Sequence, residues 1–300
     1  MSKKNYMNAI SLKAMVRNIA KEKGISAQAI LQHYFFEHFL DRLSRSEYRN
    51  NCILKGGFLI SVIAGLETRS TMDIDVTIQS YPLDETHIKT MINEICSISI
   101  DDYIEFRLTR VIPIRDDTEY GGFRVSLEAI YENINAPLSI DITAGDIITP
   151  KPFKRKFKSL FDTGNQFELY TYNYETILAE KIETILRRSI ANTRPRDFYD
   201  VYLIAKTQNY NPEVLKKALS STAKHRGTTE KIENVQEILQ AIKESPILKQ
   251  QWEKYQREYQ YAKDITFNDT MNVLYEIIAK LIQTIEASSL LGRRRLHKWE

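Results

Sequence analysis

Apolar and polar positions alternate along this chain with two different periods, and the periods divide it. Ser11 is placed to cap a helix in which Leu12, Met15, Val16, Ile19 and Ala20 form one apolar stripe, and Gly24 ends it. Ser26 opens a longer helix to about Ser46, with Ile30, Leu31, Tyr34, Phe35 and Leu43 among its apolar positions. Both helices are expected to pack on the outside of a sheet. Cys52-Ile53-Leu54 predicts a short strand, and the apolar run Phe58 to Leu66 a short helix. After a polar turn at Glu67 to Thr71, the period drops to two: Met72-Asp73-Ile74-Asp75-Val76-Thr77-Ile78 predicts a strand. Ile74, Val76 and Ile78 face the core, so Asp73 and Asp75 share the other face.

A helix follows at Asp84 to Ser97, with Ile88, Met91, Ile92 and Ile95 on one side. Tyr103 to Ile114 and Gly122 to Tyr131 predict a hairpin turning at Arg115 to Gly121. Pro137 to Thr143 alternates again, with Ile140 and Ile142 opposite Ser139, Asp141 and Thr143. Between about residues 150 and 170 the pattern changes from strand-rich to helix-rich. Tyr174 to Ser189 predicts a helix, Pro195 starts another, and Asn211 to Glu286 holds several more, with Pro212 and Pro246 marking starts. Trp252, Tyr255, Tyr259 and Phe267 are assigned to the core. The fold class is α+β: a mixed sheet with flanking helices over residues 1–160, then a helical domain over 161–300, with an active cleft expected between them.

Composition changes little in this picture. With 43% hydrophobic and 27% charged residues, the chain has an ordinary globular balance. Tyrosine is plentiful at 17 and glycine scarce at 10, which favours helix over loop-rich β structure. A net charge of +3 excludes a strong polyanion binder acting through overall charge, so any such binding must be local. Cys52 and Cys96 form neither a metal spacing nor a disulfide framework, which suits a reducing, cytoplasmic setting. No apolar run is long enough for a membrane span, and the first residues lack a signal-peptide core.

The candidate chemistry begins at Asp73 and Asp75. Two carboxylates one strand-step apart repel unless a cation lies between them, and a hard divalent ion such as Mg2+ would relieve that. A lone pair of this kind is more often a solvated edge-strand feature. Here it follows Gly56-Gly57 and one helix, a combination that lets backbone N–H groups approach a phosphate. Phosphate cradle and metal pair together point to nucleotide chemistry.

Further along, Lys181 falls inside the apolar arc formed by Ile177, Leu178, Ile182, Ile185 and Leu186, with Arg188 almost in line. Glu180, Glu183 and Arg187 fall outside that arc. Either the lysine stem snorkels or its ammonium meets an anion in a cleft. Asp197 suits the first turn of the helix begun by Pro195, and Asp200 lies one turn on. Lys151 to Lys158, KPFKRKFK, is either a nucleic-acid path or a solvated linker. His33 and His38, five apart, do not share a helix face and make no metal site. The basic end Gly292 to Lys298 is read as a solvated terminus.

The run K-G-G-x(13)-T-x-D-x-D, from Lys55 through Gly56, Gly57 and Thr71 to Asp73 and Asp75, resembles the first motif of the AbiEii/AbiGii nucleotidyltransferase toxins. These belong to the DNA polymerase β-like nucleotidyltransferase superfamily. EKIETILRR followed by RPRDFYDVY resembles the family's later motifs, a K-x(6)-R helix and R-D-x-x-D. Together the blocks span about residues 52 to 205. The superfamily usually has Gly-Ser where this chain has Gly-Gly, as the toxin branch commonly does.

The resemblance implies a polymerase β-like nucleotidyltransferase sheet and a third acidic residue from a later strand, for which Asp141 is the candidate; an exposed strand aspartate is the other reading. Asp73, Asp75 and Asp141 would then hold one or two Mg2+ ions. Lys55, Gly56, Gly57, Thr71, Lys181, Arg188 and Arg196 would bind the NTP. Lys181 and one of Asp197 and Asp200 are implicated in activity, and Asp141 is also a candidate base for the acceptor hydroxyl. The implied reaction is transfer of NMP from an NTP to an RNA acceptor, with tRNA 3′ ends as known family targets, blocking translation and growth in abortive infection. A cognate antitoxin is the implied protein partner. Two alternatives stay open: a small-molecule nucleotidyltransferase of the antibiotic-modifying kind, and a non-catalytic RNA- or protein-binding module on a degenerate transferase fold.

Overall fold

The computed structural model of the chain describes residues 7–114, 121–161 and 166–296, with side chains as far as residue 283. Most of the turn expected at 115–121, and the side chains of the basic end at 292–298, lie outside the described residues. By its internal contacts the chain forms two units, 1–146 with 152–172, and 147–151 with 173–300.

The first unit opens with α1 (Ala9–Lys23) and α2 (Ala27–Arg45). Gly24 ends α1 in the left-handed conformation, as expected, but Asn8 rather than Ser11 caps it, accepting from the Ser11 N–H. Ser26 caps α2 as expected. That helix is buried on every side from Gln32 to Leu43, its polar residues as well as its apolar ones. Its polar residues are tied to distant parts of the chain. Arg42 grips both oxygens of Asp102 at 2.7 and 2.6 Å, and His38 meets the same carboxylate at 2.7 Å. Glu37 accepts from the Ser159 hydroxyl and the Leu160 N–H, both at 2.8 Å. Buried charges are tolerated where they are paired in this way.

The sheet strands are β1 (Cys52–Lys55), β2 (Asp73–Ile78), β3 (Glu105–Ile114), β4 (Gly122–Tyr131), β5 (Ile134–Ala144), β6 (Phe153–Lys158) and β7 (Gln166–Thr171). Their order is β3-β4-β5-β2-β1-β7-β6. Parallel β2–β5 and β1–β7 pairs among antiparallel neighbours make the sheet mixed. The basic run at 151–158 is no linker: most of it is β6, an edge strand paired with β7, and this carries the first unit on to Tyr172. The nine-residue α3 (Gly56–Ala64) sits between β1 and β2, so the two glycines form its first turn. The helix α4 (Glu85–Ser97) buries Ile88, Met91, Ile92 and Ile95, as its pattern predicts.

The second unit is helical. It contains α5 (Tyr174–Arg188), α6 (Pro195–Thr207), α7 (Pro212–His225), α8 (Thr229–Glu233), α9 (Val235–Glu244), α10 (Pro246–Glu258) and α11 (Phe267–Leu296). Proline occupies the first turn of α6, α7 and α10, where its missing N–H costs nothing. Trp252, Tyr255 and Phe267 are buried as expected, and Tyr259 is half-buried. Both cysteines are free. No helix among the described residues is long and apolar enough to cross a membrane. The α+β architecture expected from the patterning, a mixed sheet with flanking helices followed by a helical region, is the one observed.

Candidate active site

Strand pairing brings four charged residues into one row across the first unit. Lys55 on β1 is opposite Asp75 on β2, Asp75 is opposite Asp141 on β5, and Asp141 is opposite Arg124 on β4. Paired residues share a sheet face, so the row reads cation, carboxylate, carboxylate, cation. Asp73 lies on the same face, one step along β2 and opposite Ser139. Like charges directly opposite each other destabilise a sheet unless a cation answers them.

Each carboxylate already has a partner. Asp73 accepts from the Thr71 hydroxyl at 2.5 Å, and Asp75 from the Gly57 N–H at 3.3 Å. Arg124 donates to both oxygens of Asp141 at 2.7 Å. These bonds push the Arg124 guanidinium above its ordinary pKa, and the Asp73 and Asp75 charges add to the effect. Gly56 is required by space as well as by backbone. Gly56 has φ +66°, and a β-carbon there would fall 1.8 Å from Asp75 Oδ2. One on Gly57 would come within 3.0 Å of Arg69 and of Thr71.

Lys55 Nζ donates to the Thr143 hydroxyl at 2.8 Å and to Asp146. Burial alone would raise the Asp146 pKa, but the Lys55 charge and hydrogen bond outweigh it and hold the carboxyl below its usual range. Lys55 is therefore anchored within the face, in contact with the residues that close β5.

Among the described residues, no three His, Cys, Asp or Glu groups converge closely enough to hold a metal ion. The donor chemistry still fits a hard divalent cation. The three carboxylates offer only oxygen ligands from one sheet face, and a cationic guanidinium already sits on Asp141. The fit thus extends to ligand type and strand placement, with Asp141 engaged by Arg124.

In the second unit, Lys181 on α5 bonds Asp197 at 2.6 Å and lies 3.0 Å from Asp200, both on α6. The two carboxylates are buried, and the lysine is about four-fifths buried, with 19% of its side chain exposed. The anions that meet Lys181 are thus these two neighbours. Asp197 sits in the first turn of α6, but the helix has no side-chain cap. Arg188 and Arg196 do not join this cluster. Arg188 is half-buried at the end of α5, and its Nε has no hydrogen-bond partner among the described residues. Arg196 is exposed and lines a cavity of about 340 Å³ with Arg194, Lys254 and Tyr259.

Two site features escaped the sequence reading. Arg124 was hidden because one arginine on an alternating strand looks like a solvent-facing residue. Glu183 was placed outside the apolar arc of its helix, yet it is buried, bonded to Arg226 at 2.5 Å and to the Thr228 hydroxyl at 3.0 Å. Its partners come from the end of α7, beyond any local pattern.

The chain matches the profile of a family described as "Nucleotidyl transferase AbiEii toxin, Type IV TA system" over residues 38–273. It belongs to the AbiEii nucleotidyl transferase toxin family. Lys55 through Asp75, Asp141 and the Lys181–Asp197–Asp200 cluster all fall within the matched residues. No curated protein sequence is significantly similar. Among solved structures, the chain is similar to a candidate nucleotidyltransferase from H. pylori, at 16% identity and TM-score 0.46 over 87% of this chain and 99% of that one. JHP933 from Helicobacter pylori is similar at 15% identity and TM-score 0.45, over 89% and 99%. An antigenic nucleotidyltransferase-like protein from Paracoccidioides brasiliensis gives 14% identity and TM-score 0.35, over 78% and 94%. Membership of a type IV toxin–antitoxin family implies an antitoxin partner for this AbiEii-family chain.

Proposed function

We propose that the protein is a toxin that transfers a nucleotidyl group from an NTP to an RNA acceptor, the 3′ end of tRNA by family resemblance, and so stops translation and growth in the cytoplasm. The observation that carries this reading is the in-register alignment of Asp75 with Asp141 beside Asp73, next to Gly56, where a β-carbon would collide with the Asp75 carboxylate. Family membership supports nucleotidyl transfer as the reaction class.

Asp73 and Asp75, with Asp141, would hold a divalent cation of the kind the family generally uses. Once bound, that ion would offset phosphate charge and make an acceptor hydroxyl more acidic. The remaining work is positioning and charge stabilisation. The Gly56-Gly57 turn opens α3, whose N-terminal end favours phosphate oxygens. Thr71 orients Asp73 through its hydroxyl. Lys55, fixed by Thr143 and Asp146, supplies a cation at the edge of the carboxylate row. In the transfer the acceptor oxygen bonds to the α-phosphorus, the bond to pyrophosphate breaks and pyrophosphate departs, and the hydroxyl proton passes to a base, for which Asp141 is the candidate.

By resemblance, Lys181 and one of Asp197 and Asp200 also serve the reaction, Lys181 neutralising triphosphate charge with Arg188 and Arg196 as further cations.

The test is incubation of the protein with each α-labelled NTP, Mg2+ and total tRNA, followed by separation of RNA from small molecules. Label in RNA supports the proposal. Label found only on a small acceptor supports the antibiotic-type transferase, and no transfer with any NTP supports a non-catalytic module.

A further inference from the structure

The pairing of Arg124 with Asp141 is not needed to build the sheet. Backbone hydrogen bonds join β4 and β5 along ten paired positions, and Arg124–Asp141 is one of these. A single cross-strand ion pair adds little to such a ladder. What the pair does accomplish is local: both oxygens of the third carboxylate are occupied by one planar cation. The two partners are unequally held. Asp141 is mostly buried, with 15% of its side chain exposed, whereas Arg124 is 49% exposed. The exposed guanidinium has room to swing away, provided another cation takes its place on the buried Asp141 carboxylate. Lys55, at the other end of the row, is 13% exposed and fixed by two partners, so it cannot leave in the same way.

We propose that Arg124 occupies Asp141 in place of a divalent cation and exchanges partners when metal and nucleotide arrive. Its guanidinium then passes from the Asp141 carboxylate to a phosphate. The exchange is chemically even-handed, because the guanidinium fork matches carboxylate and phosphate oxygens alike. It also links two events. Asp141 becomes a metal ligand only as Arg124 finds a phosphate, so metal without nucleotide is disfavoured. Arg124 is thus a positioning residue that makes the third ligand conditional on substrate. This inference rests on the metal site proposed above.

The test is a double-mutant cycle read by Mn2+ binding to the full chain without nucleotide. Arg124→Ala and Arg124→Lys are each made in the wild-type and Asp141→Asn backgrounds. Arg124→Ala is expected to tighten Mn2+ binding about fivefold in the wild-type background and by a clearly smaller factor with Asp141→Asn, where only its charge on Asp73 and Asp75 is lost. Arg124→Lys keeps the charge but loses the fork, and is expected to tighten it by a smaller factor. With saturating Mn2+, Arg124→Ala is expected to weaken triphosphate binding about tenfold. Mn2+ affinity unmoved by Arg124→Ala, or moved equally in both backgrounds, overturns the inference and leaves Arg124 a sheet strut or a distant charge. Wild-type protein that takes up no Mn2+, with or without triphosphate, overturns the metal site itself and this inference with it.

Discussion

The carboxylate of Asp75 fills the space in which a side chain on Gly56 would begin. A β-carbon on Gly56 would lie 1.8 Å from Oδ2 and 2.7 Å from the Asp75 β-carbon, so the clash cannot be relieved by rotating the carboxylate alone. Gly56 also has φ +66°, a conformation that costs an L-residue about 1 kcal/mol or more. Gly56→Ala is therefore expected to lower the urea midpoint and to displace Asp75, removing nearly all transfer activity. Gly57→Ala meets only the ends of Arg69 and Thr71 at 3.0 Å, so a partial loss is expected there. Denaturation curves and transfer rates on the two variants check the order of severity.

Lys181 places one ammonium between two carboxylates that have almost no access to water. Lys181→Met leaves both buried without their ammonium, and removing one side of a buried ion pair costs about 3–5 kcal/mol. A large fall in stability is therefore expected, alongside any loss of activity. Changing all three members to Met, Asn and Asn removes the charges together and is expected to recover much of that stability but no transfer. Chemical denaturation of both variants, with transfer assayed where each is folded, separates the structural role of Lys181 from the proposed catalytic one.

Asp102 sets part of the acid sensitivity. Burial would push its carboxyl up, but the hydrogen bonds from His38 and Arg42 outweigh burial and hold it well below the usual carboxylate range. A depressed folded pKa gives stability that is fully present above the unfolded value, about 3.9, and lost as pH falls through and below it. The wild-type protein is expected to lose stability steeply from about pH 5 downward. Asp102→Asn should be less stable at pH 7, because Arg42 is left buried and unpaired, yet show a flatter decline in that acid window. Urea unfolding at several pH values between 7 and 3 reads both effects.

Local patterning revealed much of this molecule, and long-range pairing hid the rest. Alternation along DIDVTI and LSIDIT was enough to put Asp73, Asp75 and Asp141 on the polar faces of their strands. It did not reveal that Asp75 and Asp141 are opposite each other, because β2 and β5 are neighbours despite two intervening strands in the chain. Arg124 became visible only through that same pairing. The buried faces of α2 and the burial of Glu183 were missed for a related reason. In each case a polar side chain is made tolerable by a partner more than 40 residues away, Asp102 for Arg42 and Arg226 for Glu183. A helical wheel contains no information about such partners. The anion beside Lys181 was anticipated in kind, but its source, Asp197 and Asp200, was not assigned to it.

The most direct test of the account is transfer of labelled NMP to total tRNA by wild-type protein and by Asp75→Asn, at matched folded concentration and with Mg2+ present. Asp75→Asn keeps the shape of the side chain and removes its charge. The account predicts RNA labelling by the wild-type protein and its near-complete loss in the variant. RNA labelling that persists unchanged in Asp75→Asn would contradict it.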